Sequence, residues 1–166
     1  MSLETLYARR SIRRYTGERV SDAQEEELLK AAMAAPSASD AKPWHFVVVR
    51  ERRTLDAIAS AHPYAEMLRE ATLCIAVCGD PAANGEYWIQ DCAAATQNIL
   101  LAATAQGLGS CWLGMHPRAE RKATVRAILG IPESMEILSL VALGCPAESK
   151  PPRSQFDPAR VRRERW

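Results

Sequence analysis

"TLCIAVC", residues 72–78, is a continuous apolar run that reads as a strand buried on both faces. A strand of that kind needs a covering layer above and another below. Cys74 and Cys78 fall on one side of it, four residues apart, where core packing explains them better than chemistry does. "HFVVV", residues 45–49, is β-branched and aromatic and reads as a second strand. "LGSCWLG", residues 108–114, and "EILSLVALG", residues 136–144, supply two more.

Helical patterns fill the intervals. The first runs through "SLETLYARR". Ser21 with Gln24 three residues on has capping-box spacing, and the helix it opens continues through "EEELLKAAMAA" to Pro36. "RTLDAIASA" makes a short helix ending near Pro63, and "AEMLREA" a further turn or two. The longest helix is "EYWIQDCAAATQNILLAATAQ", residues 86–106, with Gly107 just past its end. Ile89, Cys92, Thr96, Ile99, Leu100 and Ala103 follow helical spacing, and its small residues suit a central helix or a subunit interface. "PRAERKATVRAIL" is a last amphipathic helix, stopped by Gly130. Long helices around about four strands define an α/β or α+β domain with its sheet between helical layers.

A chain of 166 residues forms one domain, residues 1–166, with room for a sizeable core. Nothing in it reads as a membrane span or an export leader. The five cysteines are odd in number and lack paired CxxC spacing, so reduced thiols in a cytoplasmic protein are expected. His45, His62 and His116 have no metal-site spacing, and no metal is expected. No GxGxxG follows a strand, and no phosphate-loop motif is present.

The net charge is only +1, but it is unevenly spread. Residues 1–20 carry +3, residues 150–166 carry +4, and the stretch between them carries −6. Such ends can meet nucleic acid or a membrane surface, or converge on one anionic ligand. The tail from Cys145 is rich in proline and poor in apolar residues, so 145–166 must lie along the body or a partner subunit.

Three stretches belong together: "RRSIR" closing the first helix, "AAPSASDAKPWHFVVV" leading into the first strand, and "GLGSCWLG" after the long helix. In this order, with "LGIPE" and "GCPAESKPPR" further on, the chain resembles the FMN-dependent nitroreductase family, particularly its short members. The resemblance covers nearly the whole sequence. It implies a dimer in which a mixed or antiparallel sheet of four to five strands lies between helical layers, and bound FMN with NADH or NADPH as transient reductant. It also implies FMN sites shared between the two subunits of a homodimer.

Phosphate calls for bidentate arginine and a hydroxyl donor, which Arg9, Arg10 and Ser11 supply in a row. The resemblance sets this segment at the phosphate and ribityl end, lets Arg13 reach the pyrimidine edge, and closes Lys150 and Arg153 on the phosphate. Arg14 reads as solvated. Pro36, Ser37, Ala38 and Asp40 match the loop that contacts flavin from the other subunit. Asp40 and Lys42 depart from the usual Asn and Gln there; Asp40 either accepts from flavin N3–H or pairs with Lys42. Trp112, Leu113 and Gly114 match the segment beside the reactive edge, with the Gly114 N–H toward flavin N5. Trp112 either stacks near the ring or packs in the core, and Cys111 reads as a buried thiol without a base.

The resemblance thus implies an NAD(P)H-dependent oxidoreductase acting by ping-pong hydride transfer on a nitroaromatic, quinone or similar small-molecule acceptor. The competing readings are a flavin protein without general turnover and a basic-ended nucleic-acid module. Aromatic residues are only 6%, so the basic runs lack a stacking platform, and no nucleic-acid or membrane partner is expected.

Overall fold

The strand Leu73–Gly79, β2, is buried at every position. Leu73, Ile75 and Val77 pack into one apolar cluster, while Cys74, Ala76 and Cys78 pack into another on the opposite face. The alternation is the two-residue period of a strand, and the apolar run covers both phases of it. Residues 2–166 are described by a computed structural model.

The other strands are β1 (Trp44–Val49), β3 (Gly109–Gly114) and β4 (Glu136–Gly144). They form a four-stranded sheet in the order β1-β2-β4-β3, antiparallel at every pairing. A register shift between Val77 and Cys78 marks a bulge. β3 is an edge strand.

On one face lie α2 (Asp22–Met33) and α5 (Trp88–Ala105); on the other lie α3 (Arg52–Ala61), a 3-10 turn (Glu66–Arg69) and α6 (Ala119–Leu129). The remaining helices are short: α1 (Leu3–Ala8) and α4 (Pro81–Asn84). The capping box at Ser21 is present, with Gln24 N–H donating to Ser21 Oγ (3.2 Å) and Ser21 N–H to Gln24 Oε1 (2.9 Å). α5 ends in a Schellman motif: Gly107, at φ +73°, donates to Thr104 O (3.1 Å), and Leu108 donates to Ala103 O (2.8 Å).

The long helix starts two residues later than its pattern suggests. Gly85 sits at φ +62°, and residues Gly85–Tyr87 form a 3-10 turn before Trp88. α4 precedes it, its start capped by Asp80 Oδ1 accepting from Ala82 N–H (2.8 Å).

The N-terminal arginine segment crosses the end of the sheet. Ser11 bridges Ser110 in parallel, with Ile12 N–H donating to Ser110 O (2.9 Å). Tyr15 then bridges Pro146, Thr16 N–H donates to Cys145 O (3.0 Å), and Ala147 N–H donates to Arg14 O (2.9 Å). The first part of the tail therefore lies along residues 7–16, ending with Arg153 N–H on Tyr7 O (2.9 Å). Residues 151–166 are exposed throughout, so this chain alone covers only the tail's beginning.

Candidate functional site

The free edge of β3 is the centre of the site. Ser110 directs its carbonyl away from β4, toward Ile12. Backbone groups on a strand repeat every two residues, so those of Trp112 and Gly114 face the same way. Gly114 is exposed, and nothing stands within 4 Å of where its Cβ would be. Its N–H looks out over open space at the end of the strand.

A cavity of about 450 Å³ lies along this edge, lined by Arg13, His62, Tyr64, Glu66, Met67 and Cys111–Gly114. Arg13 thus meets Trp112, Leu113 and Gly114, residues some hundred positions away. Trp112 is half-buried and packs against the α2/α5 cluster, which accounts for much of its ring. Leu113 is buried on the opposite face.

The start of the basic tail meets the N-terminal arginine segment here. Lys150 Nζ donates to Ser11 O (2.7 Å) and pairs with Glu148 (3.2 Å). Glu148 Oε1 accepts from Arg13 N–H (2.5 Å), and Arg10 donates to the Pro151 carbonyl. Glu148 is held below the usual carboxylate range, first by the Arg13 N–H and then by Lys150. The guanidinium groups of Arg9 and Arg13 have no hydrogen-bond or carboxylate partner among the described residues, which leaves their donors free for a ligand. Arg14 pairs with Glu70 (3.0 Å), and the Arg153 side chain donates to Gln155 Oε1 (2.6 Å).

The "PSASD" loop lies elsewhere in the chain, against α5. Ala38 N–H donates to Asp91 Oδ1 (3.1 Å), and Asp91 also accepts from Asn84 Nδ2 (2.5 Å). Ser37 Oγ accepts from Lys42 N–H (3.0 Å), which leaves the hydroxyl proton available to donate. Asp40 pairs with Lys42 (2.7 Å). Ser39, Asp40 and Lys42 all have φ near +50°, a region costly for side-chain-bearing residues. Pro36 is exposed at the loop's start.

Burial pushes the thiols of Cys74 and Cys92 up to about 12 and that of Cys78 to about 11. Cys111 is also raised by burial, against the pull of Arg13, Lys150 and Arg9 nearby. None is poised as a thiolate at neutral pH.

A larger cavity, about 640 Å³, is lined by Arg19, Arg50, Arg52 and Arg69 among others. Its arginines are already matched to Asp22 (2.6 Å), Glu25 (2.6 Å), Asp56 (3.1 Å) and Glu66 (3.0 Å) respectively. Free cations distinguish the β3 edge from it.

His62, Tyr64, Glu66, Glu148 and Asp91 are site residues that reading the sequence missed. Each sits in a stretch without motif spacing, and only Glu148, between Pro146 and Lys150 in the tail, carried a hint. Among the described residues no His, Cys, Asp and Glu group could hold a metal ion, and no helix is long and apolar enough to cross a membrane.

The fold and site define a sandwich with free arginines and an outward backbone N–H beside an open strand edge, suited to an anionic ligand with hydrogen-bond acceptors. The nitroreductase family model matches residues 6–62 and 56–145. The chain is 46% identical to a protein of Archaeoglobus fulgidus provisionally named an NADH dehydrogenase/NAD(P)H nitroreductase, over 99% of this chain and 98% of that one. A similarly named structure from Bacteroides thetaiotaomicron superposes with TM-score 0.96 at 40% identity, covering 99% and 97%. A provisionally named nitroreductase of Desulfovibrio desulfuricans, solved with FMN, does so with TM-score 0.85 at 32% identity, covering 99% and 96%. The chain belongs to the nitroreductase family.

Proposed function

We propose that the protein is an FMN-dependent oxidoreductase that takes reducing equivalents from NADH or NADPH and delivers them to a nitroaromatic, quinone or similar organic acceptor. The observation carrying this reading is that Arg13, whose guanidinium has no partner among the described residues, and the outward Gly114 N–H share one cavity along an open strand edge, with Arg9 close enough to Cys111 on that strand to act on its thiol.

The residues fit the cofactor. Arg9, Arg10 and Ser11, backed by Lys150 and Arg153, hold the phosphate through charge-assisted bonds. Arg13 presents fixed positive charge to the pyrimidine edge. Gly114 donates its N–H to flavin N5 and, lacking a side chain, keeps the approach clear. Bound FMN supplies the hydride chemistry. The chain contributes position and charge, and reductant and acceptor use the same open face in turn.

A second copy of the chain completes each site, presenting Ser37 and Ala38 to the flavin. Supporting this, the "PSASD" loop packs on α5 and is absent from the cavity of its own chain. Leu3, Leu6 and Tyr7 of α1, Met33 of α2, and Phe156 and Trp166 of the tail are also exposed apolar side chains that a partner would cover.

The test is spectroscopic and kinetic. Protein incubated with FMN and desalted is expected to keep flavin absorbance and to oxidise NADH or NADPH faster when a quinone or nitroaromatic is added. Desalted protein free of flavin overturns the reading; retained flavin without acceptor-stimulated oxidation leaves a flavin protein without general turnover.

A further inference from the structure

His62 is almost wholly buried although it ends a helix, and both of its ring nitrogens are engaged. Nδ1 lies 3.2 Å from the Tyr64 N–H, which can only donate. Nδ1 must therefore accept, and the ring proton resides on Nε2, which donates across 3.2 Å to the Gly114 carbonyl. Backbone geometry thus sets the tautomer of a neutral imidazole.

Gly114 needs that bond. It closes an edge strand, its carbonyl faces away from β4, and it has no side chain for the core to grip. The following peptide is held on the sheet side by Met115 N–H on Leu138 O (3.1 Å). On the outer side His62 supplies the hold, at the residue with the widest backbone freedom.

We propose that His62 is a positioning residue that clamps the Gly114 carbonyl through Nε2–H and so aims the neighbouring Gly114 N–H at the acceptor atom of the bound ring. This rests on the FMN reading above. The imidazole acts on the bound ring through Gly114. The groups facing it are Tyr64, edge-on at 6.1 Å between ring centres, Arg121, stacked over Tyr64 at 5.2 Å, and Arg13 and Glu66 across the shared cavity. A proton added at Nδ1 would oppose the Tyr64 N–H while leaving Nε2–H on the Gly114 carbonyl, and burial first, with Arg121 nearby, disfavours that proton.

An N–H aimed at N5 favours oxidised flavin, whose N5 accepts, over reduced flavin, whose N5 carries hydrogen. His62→Asn leaves a polar side chain too short to reach Gly114, whereas His62→Gln restores a donor near the position of Nε2. The experiment measures oxidised- and reduced-FMN dissociation constants and the flavin midpoint potential for wild type and both variants. It is joined by 15N spectra of the wild-type imidazole before FMN is added. Expected are about tenfold weaker oxidised-FMN binding in His62→Asn, unchanged reduced-FMN binding and a potential about 30 mV more positive. His62→Gln should return close to wild type, and the spectra should show the neutral Nε2–H form at pH 7. A folded His62→Asn protein with wild-type constants, or a neutral imidazole whose ring proton sits on Nδ1 and leaves Nε2 bare, overturns the proposal. If His62→Asn does not fold, His62→Gln and the tautomer decide it: tenfold-weakened oxidised binding in a folded His62→Gln overturns it. Wild-type protein that binds no FMN overturns the parent reading and this one with it, an outcome distinct from wild-type binding with an unaffected variant.

Discussion

Gly109 and Gly144 stand directly opposite each other on β3 and β4, and Ile12 and Tyr15 lie over the space their side chains would fill. A Cβ on Gly109 would come within 2.8 Å of Ile12 Cγ2, and one on Gly144 within 2.9 Å of Tyr15 Cδ1. This glycine pair lets the arginine segment lie flat across the sheet end, bringing Arg9 and Arg13 to the edge of β3.

The pair makes a stability prediction. Tyr15 cannot swing aside freely, because its hydroxyl donates to Ile12 O (2.8 Å) and lies 3.3 Å from Ala142 O. Gly144→Ala should therefore cost about 1–3 kcal/mol in urea denaturation. Gly114→Ala meets nothing within 4 Å and should stay within about 0.5 kcal/mol of wild type. Its FMN affinity should nonetheless fall, since the new methyl occupies the clear approach.

Arg9→Ala should leave the fold intact, since its guanidinium has no partner among the described residues, and should weaken FMN retention. Charge-assisted bonds contribute roughly 1.5–3 kcal/mol each. Full flavin occupancy after dialysis would remove Arg9 from the phosphate site.

For Arg13→Ala the flavin potential matters more than binding. Positive charge beside the pyrimidine edge favours the reduced, anionic ring, so its loss should lower the midpoint potential. Hydride transfer should slow by a larger factor than FMN affinity weakens. Redox titration and stopped-flow reduction check this, and an unchanged potential with intact flavin places Arg13 outside the site.

His62 predicts a pH dependence of folding. Burial lowers its pKa from the ordinary 6.5 in the folded chain, so the unfolded chain binds the proton more readily. Its stabilisation is fully present above about pH 6.5 and is lost as pH falls through the lower, folded value. The groups facing it, Arg121 and Arg13 with Glu66 and Tyr64, do not reverse this sign. Denaturation of wild type and His62→Gln at pH 7.5 and pH 5 should show wild type losing the greater stability; equal losses refute it.

Flavin binding and dimerisation should be linked, each strengthening the other, if each site takes Arg13 and Gly114 from one chain and Ser37 from its partner as proposed. The interface should be apolar and bury more than about 2,000 Å². Sedimentation across a dilution series, with flavin fluorescence in parallel, measures the linkage. A folded monomer that retains FMN refutes shared sites.

Much of the fold is legible in residues 72–78, the Ser21–Gln24 capping box, Gly107 and Gly130, because burial period, caps and left-handed turns act within a few residues. Arg9, Arg13 and Gly114 stand out in the sequence as candidate ligand residues in separate stretches, and the fold brings Arg13 and Gly114 to one cavity. What the sequence by itself determined was the inventory: the strands, the helices, the sheet between layers and the basic ends. Tertiary structure alone decided that His62 reaches Gly114, that Glu148 holds the Arg13 backbone, and that Asp91 anchors Ala38. These contacts span from 52 to 135 positions. No local rule encodes them, because a hydrogen bond between distant residues exists only after packing brings its donor and acceptor together.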